Sequence, residues 1–134
     1  MTVTVSVLAS GTRGNVTFVK TEQVRLLIDA GMSRKEIAAR LAAIGEDPDG
    51  IDAVLITHEH TDHAGGLRML VKELPVQAFL TWGTISALHA EEYELNGSTL
   101  LAPQECGGCQ GCRFFLMSNS RQCISEMSLE QTIR

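Results

Sequence analysis

The sequence predicts an α/β domain with helices packed on a mixed sheet. Three observations carry that expectation. Short strand-like runs fill the first thirty residues, two segments with helical spacing follow, and the apolar run Ala53-Val54-Leu55-Ile56 stands between those two segments. Element types therefore alternate along the chain, as layered α/β folds require. The 134 residues fit one domain, since domains typically run ~50–250 residues.

Val3, Val5 and Val7 alternate with Thr4 and Ser6, the period-two pattern of a half-buried strand. Ser10-Gly11-Thr12-Arg13-Gly14-Asn15 is a loop by its turn residues. Asn15 to Lys20 reads as a second strand with Val16 and Phe18 on one face, and Val24 to Ile28 as a third, antiparallel to it. Asp29-Ala30-Gly31 closes that strand. Ser33-x-x-Glu36 is a capping box. It opens a helix with an apolar stripe of Ile37, Ala38, Leu41 and Ala42, and Gly45 stops it. Glu46-Asp47-Pro48-Asp49-Gly50 is a polar turn, read as a solvated loop and not as a cation site.

Ala53 to Ile56 is a buried strand. Beyond it, Leu67, Leu70, Val71 and Leu74 repeat at helical spacing, so a second amphipathic helix is expected, ended by Pro75. Val76 to Leu80 is a further strand. Thr81 can cap a third helix over 82–94, with Trp82 a lid on the core and His89 on the helix surface. Asn96-Gly97 signals a turn, and Ser98 to Leu101 begins another strand.

The chemistry concentrates in His58-Glu59-His60-Thr61-Asp62-His63, where three of the four histidines and an aspartate follow the buried strand. Neutral imidazole nitrogen and carboxylate oxygen suit zinc, or manganese and iron where oxygen dominates. Side chains two apart on an extended chain point the same way. His58 and His60 are therefore expected to converge on one ion, and Asp62 and His63, past the strand end, to face a second. Two-metal hydrolases place such ions roughly 3.5–4 Å apart. Asp29 reads as a strand-ending turn residue, and Asn15 as an amide that fixes its own turn.

The His-x-His-x-Asp-His run resembles the signature of the metallo-β-lactamase superfamily, whose members are mostly zinc-dependent hydrolases. The resemblance extends through Ser10 to Asn15, Leu26-Leu27-Ile28-Asp29-Ala30-Gly31 and Ile56-Thr57-His58-Glu59-His60, and covers roughly Val3 to Leu101. It is strongest with a bacterial cytoplasmic, nuclease- or phosphodiesterase-like branch. It implies the αββα sandwich, of which this chain supplies the N-terminal half, and it implies two divalent ions, zinc first and manganese or iron as alternatives. His58, His60, Asp62 and His63 are the implied ligands, with Asp62 also orienting the attacking water or taking its proton. Asp29 is implied to orient the ligands. The implied reaction is hydrolysis of a phosphodiester, in nucleic acid or a small molecule, by a hydroxide generated on the ion. Thioester and lactam substrates stay open on the same scaffold.

Composition sets limits. A net charge of −5, from 11 basic and 16 acidic residues, leaves no basic footprint for nucleic acid. It does not exclude a phosphodiester, because bound ions can supply positive charge. No apolar run approaches the ~18 residues that span a bilayer. The N-terminus alternates like a strand and lacks a basic leader, so a cytoplasmic protein with reduced cysteines and no membrane partner is expected.

The pattern changes near Pro103. Residues 1–102 are read as the N-terminal half of the fold and 103–134 as a poorly packed tail carrying Cys106, Cys109, Cys112 and Cys123. Free thiols are favoured over a thiolate metal site. The chain has no histidine after His89 and no aspartate after Asp62, whereas the family takes its remaining ligands downstream. A truncated or frameshifted reading frame would produce this. The alternative function is accordingly a catalytically incomplete metal-binding fragment. One face of its sheet is expected to lack a partner and to favour self-association or pairing with another half.

Overall fold

Strand-forming residues at the start of the chain make β1 (Thr4–Ala9), β2 (Val16–Lys20) and β3 (Arg25–Ile28), joined antiparallel. The computed structural model describes residues 1–90, 93, 99–100, 104–105 and 113–118. Two helical crossovers then extend the sheet in parallel. Helix α1 (Arg34–Ala43) leads into β4 (Ala53–Leu55), and α2 (Thr61–Ala64) with α3 (Leu67–Glu73) leads into β5 (Gln77–Thr81). After α4 (Trp82–Leu88) come β6 (Thr99–Leu100), β7 (Gln104–Glu105) and β8 (Arg113–Ser118). The strand order is β1-β2-β3-β4-β5-β8-β6, with β7 beside β8. This is the mixed sheet with flanking helices that the sequence predicts. Strands β7 and β8 both fall within 103–134, and β8 pairs antiparallel with β5.

Register explains the core. Phe18, Leu27, Val54 and Ala78 stand in line across four strands and are all fully buried. They share one apolar cluster with Ile37 and Leu41 of α1 and with Leu67, Leu70 and Val71 of α3. Burying side chains of this size stabilises by about 1.5–3 kcal/mol each. The neighbouring row on the opposite sheet face, Val7-Thr17-Ile28-Leu55-Phe79, is half-buried except for Val7. Val5 and Val7 are 61% and 67% exposed. The valine stripe of β1 therefore faces away from the helices, contrary to the half-buried reading. Strand β1 lies at the sheet edge, and its inward residue is Leu8. Alternation distinguishes two faces without saying which one is covered.

The capping box of α1 forms as expected. Ser33 Oγ accepts the Glu36 N–H at 3.2 Å, while Glu36 Oε2 accepts from Ser33 N at 3.2 Å and from Ser33 Oγ at 2.8 Å. These bonds, the side-chain one foremost, hold the Glu36 carboxyl below its ordinary range. Ile37 and Leu41 are buried, but Ala42 is exposed, so the stripe is narrower than predicted. Gly45 ends the helix at φ +78°, a left-handed backbone that glycine adopts without a Cβ clash. In the following turn Asp49 pairs with Arg34 at 2.8 Å.

Helix α3 buries Leu67, Leu70 and Val71, and Leu74 behind them, as its spacing requires. Leu74 turns extended (φ −116°, ψ 147°) because Pro75 disfavours helical backbone in the residue before it. Thr81 caps α4, its Oγ1 accepting the Thr84 N–H at 3.2 Å. The helix stops at Leu88, and positions 91, 92 and 94 of the expected range lie outside the described residues. His89 takes a left-handed φ of +51° there, a conformation in which histidine is among the enriched non-glycine residues, and its side chain is exposed. Among the described residues no helix is long and apolar enough to cross a membrane. Cys106, Cys109, Cys112 and Cys123, the Asn96-Gly97 turn and the ring of Trp82 lie outside the described residues.

Candidate metal centre

Parallel strands β3 and β4 end side by side, so the segments after Ile28 and Leu55 emerge together at one sheet edge. Ligand sites in open α/β sheets form at such carboxyl ends. Past Leu55 the chain leaves the ladder, and His60 caps the short helix α2 with extended backbone (φ −56°, ψ 142°). Three imidazoles gather there. The His58 ring lies 4.6 Å from that of His60, edge-on, and 4.0 Å from that of His63, tilted. His58 thus stands between the other two rings, beside His60 on one side and His63 on the other. Asp62 Oδ2 stands 3.6 Å from His63 Nε2. Among the described residues no three His, Cys, Asp or Glu side chains form a closed cation cage. Glu59 and Thr61 are exposed.

Asp29 organises this cluster from below. It is 6% exposed and sits at φ +63°, a left-handed conformation that aspartate tolerates better than most residues. Its Oδ1 accepts the Thr57 N–H at 2.8 Å, and both oxygens lie 2.9 Å from the Thr57 hydroxyl. Its Oδ2 is 2.8 Å from His63 Nδ1. A carboxylate only accepts, so Nδ1 of His63 carries the proton. The Thr57 hydroxyl, its own proton directed to Asp29, is left to accept from His58 Nδ1 at 2.9 Å. In the neutral rings these contacts place the proton on Nδ1 and leave the Nε2 lone pair free. Metal-ligating histidines are oriented in this manner, by a carboxylate or hydroxyl on the nitrogen away from the ion. The donor set fits a divalent ion in its chemistry. Asp29 is both the strand-ending turn residue and an orienting group. Thr57 was not singled out from sequence; its one signal was its place immediately before His58.

The turn after β3 docks on the histidine segment through backbone bonds. Ala30 N donates to His63 O at 2.7 Å, and Gly66 N donates to Ala30 O at 2.7 Å. The loop before β2 joins them, Asn15 N donating to Asp62 O at 2.7 Å and Gly31 N to Asn15 O at 3.1 Å. Gly31 is required at this junction, since a Cβ on it would overlap the Asp62 carbonyl oxygen and lie 2.7 Å from Asn15 N. The Asn15 amide fixes its own turn, as the sequence suggested, with Oδ1 accepting Gly11 N at 3.1 Å and Nδ2 donating to Gly11 O at 3.0 Å. It also reaches Asp62 and His63, contacts forty-seven and forty-eight residues away in sequence.

Comparison with known proteins bears on this site. A family model described as the metallo-beta-lactamase superfamily matches residues 9–114. Exodeoxyribonuclease WalJ of Streptococcus pneumoniae serotype 2 is 40% identical over 88 residues, which is 66% of this chain and 33% of that protein. Exodeoxyribonuclease YycJ of Bacillus anthracis is 41% identical over 86 residues, 62% of this chain and 33% of the relative. The chain thus spans about a third of the length of these curated relatives. A metallo-beta-lactamase HARLDQ motif mutant from Cronobacter sakazakii superposes with a TM-score of 0.55 at 23% identity, over 61% of this chain and 32% of that one. That last likeness is one of fold.

Proposed function

The chain belongs to the metallo-beta-lactamase superfamily, and we propose that it is a metal-dependent hydrolase acting on phosphodiesters, nucleic acid foremost. The observation that carries the reading is the junction at Asp29. One buried carboxylate, directly and through Thr57, fixes the tautomer of His63 and His58 and leaves Nε2 of each for a cation. Two relatives named exodeoxyribonucleases support nucleic acid as the substrate class. His58 and His60 would hold one divalent ion, zinc before manganese or iron, and Asp62 with His63 a second. Such ions polarise the ester under attack and lower the pKa of water to about 7.

The remaining work belongs to the chain. Asp29 and Thr57 keep the imidazoles in a single tautomer. Asp62, its side chain 35% exposed, takes one proton of the attacking water as that water's oxygen bonds to phosphorus and the bond to the leaving alkoxide breaks, the alkoxide taking its proton from solvent. A second reading, a metal-binding fragment without turnover, is favoured by the chain's spanning only about a third of the length of its curated relatives.

Hydrolysis of bis(p-nitrophenyl) phosphate with zinc or manganese separates the two. The enzyme reading expects turnover that a chelator removes and that His58→Ala and His60→Ala each reduce at least ~100-fold, the scale on which losing a catalytic group acts. A bound ion with no turnover selects the fragment.

A further inference from the structure

We infer that Asn15 is a positioning residue for the cation held by Asp62 and His63, an assignment that rests on the metal-site reading above. The amide nitrogen of Asn15 has two hydrogens, yet four acceptors surround it. Gly11 O lies at 3.0 Å, Asp62 O at 3.1 Å, and Asp62 Oδ2 and His63 Nε2 both at 3.3 Å. The contact to Nε2 agrees with the tautomer set by Asp29, because only an unprotonated Nε2 accepts from an amide. Two of the four acceptors, Asp62 Oδ2 and His63 Nε2, are the atoms assigned to the ion. When a cation takes them, the two hydrogens are matched by the two carbonyls that remain, Gly11 O and Asp62 O. The amide is therefore satisfied in both states without moving. It holds the Asp62 backbone at a fixed distance from the loop while the ligand atoms exchange a hydrogen bond for a metal bond. A group that only closed the Gly11–Asn15 turn would need neither long-range contact.

The test is a zinc titration of the full chain followed through the imidazole nitrogens of His63 and His58 by NMR, in the unmodified protein, Asn15→Ala and Asn15→Asp. Aspartate keeps the oxygen that accepts Gly11 N–H but has no N–H to donate. Asn15→Ala is expected to raise the zinc concentration needed to shift His63 by about 10-fold or more, the usual effect of losing an outer ligand contact. Asn15→Asp, whose carboxylate adds negative charge beside the ion, is expected to alter the His63 midpoint in either direction but not to leave it unchanged. His58 should respond as in the unmodified protein. Before zinc is added, the His63 Nε2 resonance should already differ in both variants, through loss of the amide bond. Asn15→Asp titrating like the unmodified chain, with an unaltered Nε2 resonance, would show that the residue closes its turn and nothing more. Equal weakening at His58 and His63 would also overturn the assignment. If the unmodified chain does not respond to zinc, the metal-site reading falls instead, and the zinc-free resonance then judges the Asn15 contact by itself.

Discussion

Asp29→Asn is expected to keep the fold and to weaken zinc binding at His63 by about 10- to 100-fold, the range seen when an orienting partner of a metal ligand is replaced. Asparagine tolerates the +63° backbone and has nearly the volume of aspartate. Its Oδ1 can still accept from Thr57. Its amide group, however, then faces His63 Nδ1, where the carboxylate accepted at 2.8 Å. Two N–H groups cannot face one another, so the imidazole proton moves to Nε2 and the nitrogen needed by the ion is blocked. Asp29→Ala goes further. It removes the acceptor of the Thr57 N–H and of the His63 Nδ1–H, at roughly 1 kcal/mol for each bond because both groups are partly open to water. It also takes away the short polar side chain that lets aspartate tolerate the left-handed backbone. Urea unfolding should therefore register a loss of roughly 2 kcal/mol for alanine and little for asparagine. Unchanged zinc affinity in Asp29→Asn would remove the carboxylate from the account.

Gly31→Ala is the second large effect. The added Cβ meets the Asp62 carbonyl and Asn15 N, both backbone atoms with no flexible side chain to yield. The turn after β3 must then separate from the histidine segment. That strains the bonds Ala30 N to His63 O, Asn15 N to Asp62 O and Gly31 N to Asn15 O together. A loss of about 2–4 kcal/mol is expected, at the upper end for single substitutions, and amide exchange should accelerate first at Ala30, Gly31 and Asn15. Stability within a few tenths of the unmodified chain would mean that these loops do not depend on close contact.

Much of this was legible in the sequence where the pattern is local. The Ser33–Glu36 box, the Leu67-Leu70-Val71-Leu74 stripe, the stop before Pro75 and the cap at Thr81 each depend on residues within one or two helical turns. The clustering of His58, His60 and His63 was legible too, because it is contiguous. What failed depends on tertiary placement. The exposed Val3, Val5 and Val7 reflect an edge strand turned away from the helices. His89 ends α4 through a backbone conformation that helical spacing does not encode. The orienting contacts of Asp29, Thr57 and Asn15 join residues up to forty-eight positions apart; family resemblance pointed to Asp29 alone, while Asn15 read only as a turn residue and Thr57 carried no assigned role.

Calorimetric zinc titration of the purified chain, checked by elemental analysis of the dialysed product, tests the central claim most directly. Stoichiometric zinc, accompanied by shifts confined to the imidazoles of His58, His60 and His63, is the predicted result. Protein that retains no ion, with those three rings unmoved at saturating zinc, would contradict it.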